Sequence, residues 1–275
     1  MPTLSDTLIH WQSRGLPRLE AQMLLLHALE RATHDRAWLL THDTDPLPAV
    51  ADARLQALAE RRLAGEPIAY LTGEKAFHGL TLHVDARVLD PRDDTETLVD
   101  WALALLPADA PRRVLDLGTG SGAIALAIAR QRPAARVVAV DASADALDVA
   151  AANAERSGLA VELRHGNWFA PLTGERFDVI ASNPPYIAEH DPHLPALAHE
   201  PRAALVSGPD GLDDIRHLVA HAATHLTPGG WLLLEHGWDQ AERVRNLLQA
   251  AGFAQVQSRR DLAGVERCSG GQRAP

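Results

Sequence analysis

The chain has 275 residues, of which 26 are Lys or Arg and 36 are Asp or Glu, giving a formal net charge of −10. At roughly 150 residues per domain the length predicts about two domains, and a hydrophobic fraction of 46% suits packed cores rather than disorder. The acidity argues against a duplex nucleic-acid binder, whose affinity rests on Lys and Arg neutralising phosphates. A single cysteine, Cys268, excludes an intrachain disulfide and a Cys-rich zinc site. Met1-Pro2-Thr3-Leu4-Ser5-Asp6 carries no cationic stretch leading into an apolar one, and no run of about 18 apolar residues follows anywhere. Together these features predict a soluble, cytoplasmic protein.

Residues 1–73 read as a bundle of short amphipathic helices. Leu4, Leu8, Ile9 and Trp11 mark one apolar face. A second helix covers 19–29 after Pro17, a short third covers 36–40, and a fourth covers 48–63 with Gly65 as its stop. Residues 75–78 and 80–84 flank Gly79, which predicts a β-hairpin, so 74–95 reads as a linker between domains. Helical spacing returns over 94–106. From Arg112 onward strands and helices alternate. Strands are predicted at 113–117, 136–140, 161–163, 177–181 and 231–235, with two more at 254–259 and 267–269. Helices are predicted at 122–129, 143–156, 215–225 and 240–250, with Ser143 as an N-cap. The alternation predicts an α/β domain over 96–275: a doubly wound, mostly parallel sheet covered on both faces.

The segment Val114-Leu115-Asp116-Leu117-Gly118-Thr119-Gly120-Ser121-Gly122 follows a strand and opens a helix, the context that a nucleotide-type loop requires. Three glycines allow a tight turn and close approach to a ligand. Asp141 ends the next strand, in position to hold ribose hydroxyls. The spacing is G-x-G-x-G, preceded by Asp116, which resembles the S-adenosylmethionine loop of class I methyltransferases more than a dinucleotide fingerprint. On this element alone a nicotinamide dinucleotide and a ligand-free turn both stay open.

A second loop, Ser182-Asn183-Pro184-Pro185-Tyr186, follows the fourth strand of the α/β region. The prolines remove two donors and stiffen the loop, while their carbonyls remain acceptors. Asn183 adds a side-chain acceptor and donors, and Tyr186 a flat face. Such a loop suits a nitrogen that belongs to a planar system. Its lone pair is delocalised, so acceptors aimed at its hydrogens orient it and stabilise positive charge as a methyl arrives. No metal and no general base of unusual pKa is required. Asn-Pro-Pro-Tyr occurs in methyltransferases acting on adenine, cytosine or glutamine nitrogens, and by itself does not choose among them.

The remaining motifs run in one order along about residues 4–268. They include 65–73, Phe77-His78-Gly79-Leu80, 84–96, Asn167-Trp168-Phe169, 182–187, 200–205, 208–212, 233–237 and 260–267. Together they resemble the release-factor glutamine methyltransferases, the HemK/PrmC family. The resemblance implies a class I, Rossmann-like methyltransferase domain using S-adenosylmethionine. It implies methyl transfer to the side-chain amide of the glutamine in the Gly-Gly-Gln loop of class-1 peptide chain release factors, which modulates translation termination. By resemblance, Asp116, Gly118, Thr119, Gly120, Ser121, Gly122 and Asp141 match cofactor positions, and Trp168 lies beside the adenine. Asn183, Pro184, Pro185 and Tyr186 match the substrate-amide pocket, with Asn183 also touching the cofactor. The helical bundle would help hold the release factor. A monomer is expected, with no direct nucleic acid, no membrane and no metal.

Two rivals differ in class. An adenine N6-methyltransferase would need a basic target-recognition segment, yet residues 1–75 carry 8 basic and 10 acidic side chains. A non-catalytic cofactor-binding adaptor would not need Gly118, Asp141 and Asn183 together. The family pattern is also broken at two places. Asp90 and Asp93 stand where an apolar residue and a proline are usual, which places two acids beside the cleft entrance. The tail Cys268-Ser269-Gly270-Gly271-Gln272 repeats the Gly-Gly-Gln of the expected substrate; it reads as a solvated, mobile terminus. Glu96 is either a helix N-terminal acid or a residue bordering the site. His78 with His83, and His190 with His193, are the nearest candidates for a metal. His236 reads as a hydrogen-bonded packing residue.

Overall fold

The computed structural model describes residues 1–274 and divides into two compact units after Glu74. The first unit contains α1 (Leu4–Ser13), α2 (Arg18–Ala28), α3 (Arg36–Thr41), α4 (Ala49–Leu63) and α5 (Ile68–Thr72). A capping box starts α1: Thr3 Oγ1 accepts from Asp6 N at 3.1 Å, and Asp6 Oδ2 accepts from Thr3 N at 3.2 Å. Pro17, Pro48 and Pro67 stand just before α2, α4 and α5. Leu4, Trp11, Leu24, Leu25, Leu39, Leu55 and Leu71 close a single core to which all five helices contribute. The last helix is absent from the sequence reading because 68–72 is too short to show a period.

The second unit opens with a hairpin of β1 (Glu74–Phe77) and β2 (Leu80–His83), turned through positive φ at His78 and Gly79. The hairpin is not a free linker. Buried Asn153 accepts from His83 N at 2.7 Å and donates to His83 O and Ser121 O, both at 2.9 Å. One amide thus joins the hairpin to the glycine loop. Glu96 accepts from His78 N at 2.7 Å, so this acid anchors the hairpin turn.

The chain continues through α6 (Glu96–Leu105), β3 (Arg113–Leu117), α7 (Ala123–Gln131), β4 (Arg136–Asp141), α8 (Ala144–Ser157), β5 (Glu162–His165) and β6 (Phe177–Ser182). It ends with α9 (Asp213–His225), β7 (Leu226–Glu235), α10 (Ala241–Ala250), β8 (Ala254–Arg260) and β9 (Glu266–Gln272). The strand order is β5-β4-β3-β6-β7-β9-β8; the first five are parallel and β9 runs antiparallel to both neighbours. Val114, Leu115, Val138, Ile180 and Leu232 are wholly or almost wholly buried in the sheet. The chain winds outward in opposite directions from β3 and β6. Their carboxyl ends therefore form the switch point at which such sheets bind ligands.

The tail departs from expectation. Gly270 pairs with Leu233 on one side and Gln257 on the other, inside the sheet. A Cβ on Gly270 would stand 2.7 Å from the Leu232 carbonyl oxygen, and one on Gly271 2.7 Å from Phe253 Cβ. The two glycines let neighbouring groups close over the strand, so the repeat is built into the fold. Gln272 pairs with Trp231, at the end of the sheet away from the switch point, and its Nε2 donates to Gly229 O at 2.8 Å. It cannot occupy a pocket at the strands' carboxyl ends.

Candidate active site

The glycine loop leaves β3 and enters α7 at Gly122, which has φ +84°. Gly118 N and Thr119 N donate to Val140 O at 2.9 and 3.1 Å, tying the loop to β4. Asp141 then bridges two elements. Its Oδ2 accepts from Gly120 N at 2.8 Å and its Oδ1 from Ser143 N at 2.9 Å, beside the start of α8. Each oxygen keeps a lone pair for a diol.

Asp116 is fully buried beneath this loop. Its Oδ2 accepts from Thr119 Oγ1 at 2.6 Å and Ala125 N at 3.2 Å, while Oδ1 has no partner. Burial pushes its pKa up to about 7 against those two bonds.

Across the switch point, Ser182 Oγ donates to Leu117 O at 2.7 Å and so stitches β6 to β3 where both end. Asn183 follows at once, and its Nδ2 donates to Thr95 Oγ1 at 3.2 Å. That bond leaves Asn183 Oδ1 as the acceptor not used by the protein. Pro184 is buried behind it. Tyr186 O accepts from Gln240 Nε2 at 3.0 Å, and Tyr186 OH lies 3.4 Å from Glu235 Oε1.

A cavity of about 430 Å³ opens between the two loops, within the roughly 300–1,000 Å³ range of small-molecule sites. Gly118, Gly120, Asp141, Trp168, Asn183 and Pro185 line it. The Trp168 ring lies close over Gly118: a Cβ there would sit 3.4 Å from the indole. Asp116, Thr119, Ser121, Gly122, Pro184 and Tyr186, all marked from the sequence, are not in the wall. The reason is packing, since Thr119 turns inward to Asp116, Ser121 uses its carbonyl on Asn153, and Tyr186 faces Glu235. Val88, Leu89, Ala146, Ala203 and Ala204 also line the wall and were not singled out, and Ser143, read from the sequence only as an N-cap, lines it too. Segments 84–96 and 200–205 carried the signal only as family-like runs, without a role for any one residue.

The Asp90 departure is not an acid at an entrance. Asp90 is buried, and Arg92 reaches Asp90 Oδ2 at 3.5 Å and Glu200 Oε1 at 2.5 Å. Glu200 Oε2 in turn accepts from Asp90 N at 3.3 Å, which ties 90–92 to the segment carrying Pro201, Ala203 and Ala204. Asp93 is exposed and pairs with Lys75 at 3.1 Å. His236 is buried between Gly237 O and Ser269 Oγ. Cys268 is buried, and desolvation holds its thiol well above the ordinary range.

The tight glycine turn, the diol-sized pair of acceptors on Asp141 and the flat Trp168 ring suit an adenosyl cofactor with no pyrophosphate. Sheet order and site together define a class I, S-adenosylmethionine-dependent methyltransferase. Residues 95–208 match the "Methyltransferase small domain" and residues 12–73 the "PrmC N-terminal domain". A methyltransferase from Pyrococcus furiosus shares the fold at TM-score 0.55 and 21% identity, over 78% of this chain and 98% of that one. The chain is 54% identical to the release factor glutamine methyltransferase of Xylella fastidiosa (strain Temecula1), over 94% of both. It is 42% identical to that of Escherichia coli K12, over 98% and 97%. The chain belongs to the release factor glutamine methyltransferase family.

Proposed function

We propose that this chain methylates the side-chain amide nitrogen of the glutamine in the Gly-Gly-Gln loop of class-1 peptide chain release factors. The observation that carries the reading is Asn183, whose amide nitrogen is committed to Thr95 while its Oδ1 remains free at the cavity. Gly118, Gly120, Asp141 and Trp168 would hold S-adenosylmethionine, with Asp116 supporting them from below. When bound, that cofactor supplies a methyl group already activated by its sulfonium.

Asn183 Oδ1 accepts one substrate N–H, and the carbonyls of the Pro184–Pro185 turn suit the other. These acceptors bias the planar amide nitrogen toward pyramidal geometry and stabilise the positive charge that grows on it. The stiff loop fixes the approach line, which supplies much of the rest. The extra proton leaves to water afterwards.

Residues 1–73 would help to hold the release factor, 74–95 would join the parts, and 96–275 would catalyse. The chain would work in the cytoplasm as a monomer, without binding nucleic acid directly. Residues 76–275 carry a net charge of −8 and 1–75 one of −2. A release-factor domain that enters ribosomal RNA should be basic, so the encounter would be electrostatically complementary. Incubation with labelled S-adenosylmethionine and either release factor or DNA tests the reading: label on the Gly-Gly-Gln glutamine supports it, and label on adenine sinks it.

A further inference from the structure

The Asn183–Tyr186 loop is held from behind by one carboxyl, Glu235, which the sequence marked only as part of the family-like run 233–237, without a role of its own. Glu235 ends β7 with 1% of its surface exposed. Its Oε1 lies 3.4 Å from Tyr186 OH, and its Oε2 is buried without a hydrogen-bond partner. The Thr95 side chain bears on the same carboxyl and favours its charged form. Thr95 is itself buried, and its Oγ1 accepts from Asn183 Nδ2. Ser182 pairs with Leu234, so Asn183 and Glu235 follow side by side where β6 and β7 end. A hydroxyl that accepts from Asn183 has its one proton left to donate elsewhere, and the unpartnered Glu235 Oε2 is the buried acceptor at this end of the sheet.

We propose that Glu235 is a positioning residue for methyl transfer: through Thr95 it sets which edge of the Asn183 amide meets the substrate, and through Tyr186 it holds the other end of the loop. The proposal rests on the role given to Asn183 above. An ionised Glu235 only accepts, so Thr95 donates to it and offers a lone pair to the Asn183 NH₂. Asn183 Oδ1 then faces the substrate amide. A protonated Glu235 can itself donate to Thr95, which frees the Thr95 proton to turn toward Asn183. The amide then flips, and its NH₂ meets the substrate NH₂, donor against donor.

The charged and titratable groups around Glu235 come from three elements. They are Asp94 before α6, Arg267 and Cys268 on β9, and Tyr186 on the loop. Burial and Asp94 raise the Glu235 pKa and Arg267 opposes them, leaving it at about 7. A glutamine amide does not titrate near neutrality, so a rate change there belongs to the enzyme.

The test is steady-state methylation of a release factor by the full chain, from about pH 5.5 to about 8.5. Wild-type kcat should fall on the acid side. Glu235→Gln should lower kcat roughly 10- to 100-fold, as expected for a displaced reacting geometry, and should flatten that acid limb. Its Kd for S-adenosylmethionine should stay unchanged. Thr95→Val should reproduce both effects, Thr95→Ser should restore both, and the double variant should be no worse than either single one. A Glu235 with a merely structural role would lower Tm and leave the profile's shape alone.

An acid limb that persists in Glu235→Gln, or a Thr95→Val enzyme with the wild-type profile, overturns the proposal. If Glu235→Gln fails to fold, the Thr95→Val and Thr95→Ser pair still decides it. A wild-type chain that methylates no release factor would instead fail the preceding reading.

Discussion

Asp116 and Glu235 are both buried carboxyls near the carboxyl ends of parallel strands, each with one oxygen left unpartnered and a pKa raised to about 7. They lie under different loops and are held differently. Asp116 is bound by the glycine loop and the helix it opens, through the Thr119 hydroxyl and the Ala125 main-chain N–H of α7. Glu235 Oε1 accepts from the Tyr186 hydroxyl of the substrate loop, and the side chain of Thr95, from the turn before α6, favours its charged form. A carboxyl bound by its own loop holds that loop's shape. A carboxyl met by side chains from elsewhere would, on the proposal above, pass its protonation state to a third group, Asn183. The cofactor side therefore reads as rigid scaffolding, and the substrate side as a hydrogen-bond relay.

That contrast is broken most strongly at Asn183. Asn183→Ala should lower kcat by roughly 10²- to 10³-fold, the cost of removing one preorganised polar group, with little change in cofactor Kd. Isothermal titration beside steady-state kinetics checks both halves. A comparable loss of cofactor affinity would erase the distinction between the loops.

On the other side, Asp116→Ala leaves the Thr119 hydroxyl and the Ala125 N–H without their partner, at a cost of roughly 1–3 kcal/mol. Denaturant unfolding should show that loss, and cofactor Kd should rise with it. The kcat at saturating cofactor should hardly move. A large kcat defect at saturation would place Asp116 in the chemistry instead.

Trp168→Ala removes the flat face over the loop. Cofactor binding should weaken by about 0.5–1.5 kcal/mol, or up to roughly tenfold. Fluorescence or calorimetric titration measures it, and an unchanged Kd would remove Trp168 from the adenosyl site.

The smallest effect is on the pH dependence of stability. Both carboxyls have folded pKa values above their unfolded ones, so the folded state binds more protons between about pH 4 and 7. Their contribution is complete below the unfolded value and is lost as pH rises through about 7. Asp116→Asn and Glu235→Gln should each flatten the fall of Tm over that window relative to wild type. Asp85 works in the opposite direction: Arg87 holds it down at about 2, so its contribution is lost only in stronger acid. Thermal melts at matched ionic strength give the slopes, and slopes equal to wild type would mean that neither carboxyl is raised.

Much of the scaffold was legible because its signals are local. Alternating apolar runs marked β3, β4, β6 and β7, and the glycines together with Asp141 marked the turn at the switch point. The parts that stayed hidden depend on groups far apart in the chain. Thr95 meets Asn183 across 88 positions, and Asn153 holds the hairpin across 70. Glu235 was legible as the end of a buried strand inside the family-like run 233–237, with nothing in the sequence to tie it to Thr95 or Tyr186. The Gly270–Gln272 segment misled because glycine reads as mobility, whereas here it admits Leu232 and Phe253 at close range. Not every residue of the two motifs faces the cavity. Thr119 and Tyr186 turn their hydroxyls to the packing behind the loops, onto Asp116 and Glu235.

The most direct measurement is mass mapping of a release factor after incubation with the full chain and labelled S-adenosylmethionine, run beside Asn183→Ala. The account predicts one methyl on the glutamine of the Gly-Gly-Gln peptide with wild type, and almost none with the variant despite normal cofactor binding. A methyl on any other residue, or an Asn183→Ala chain that labels the glutamine at the wild-type rate, would contradict it.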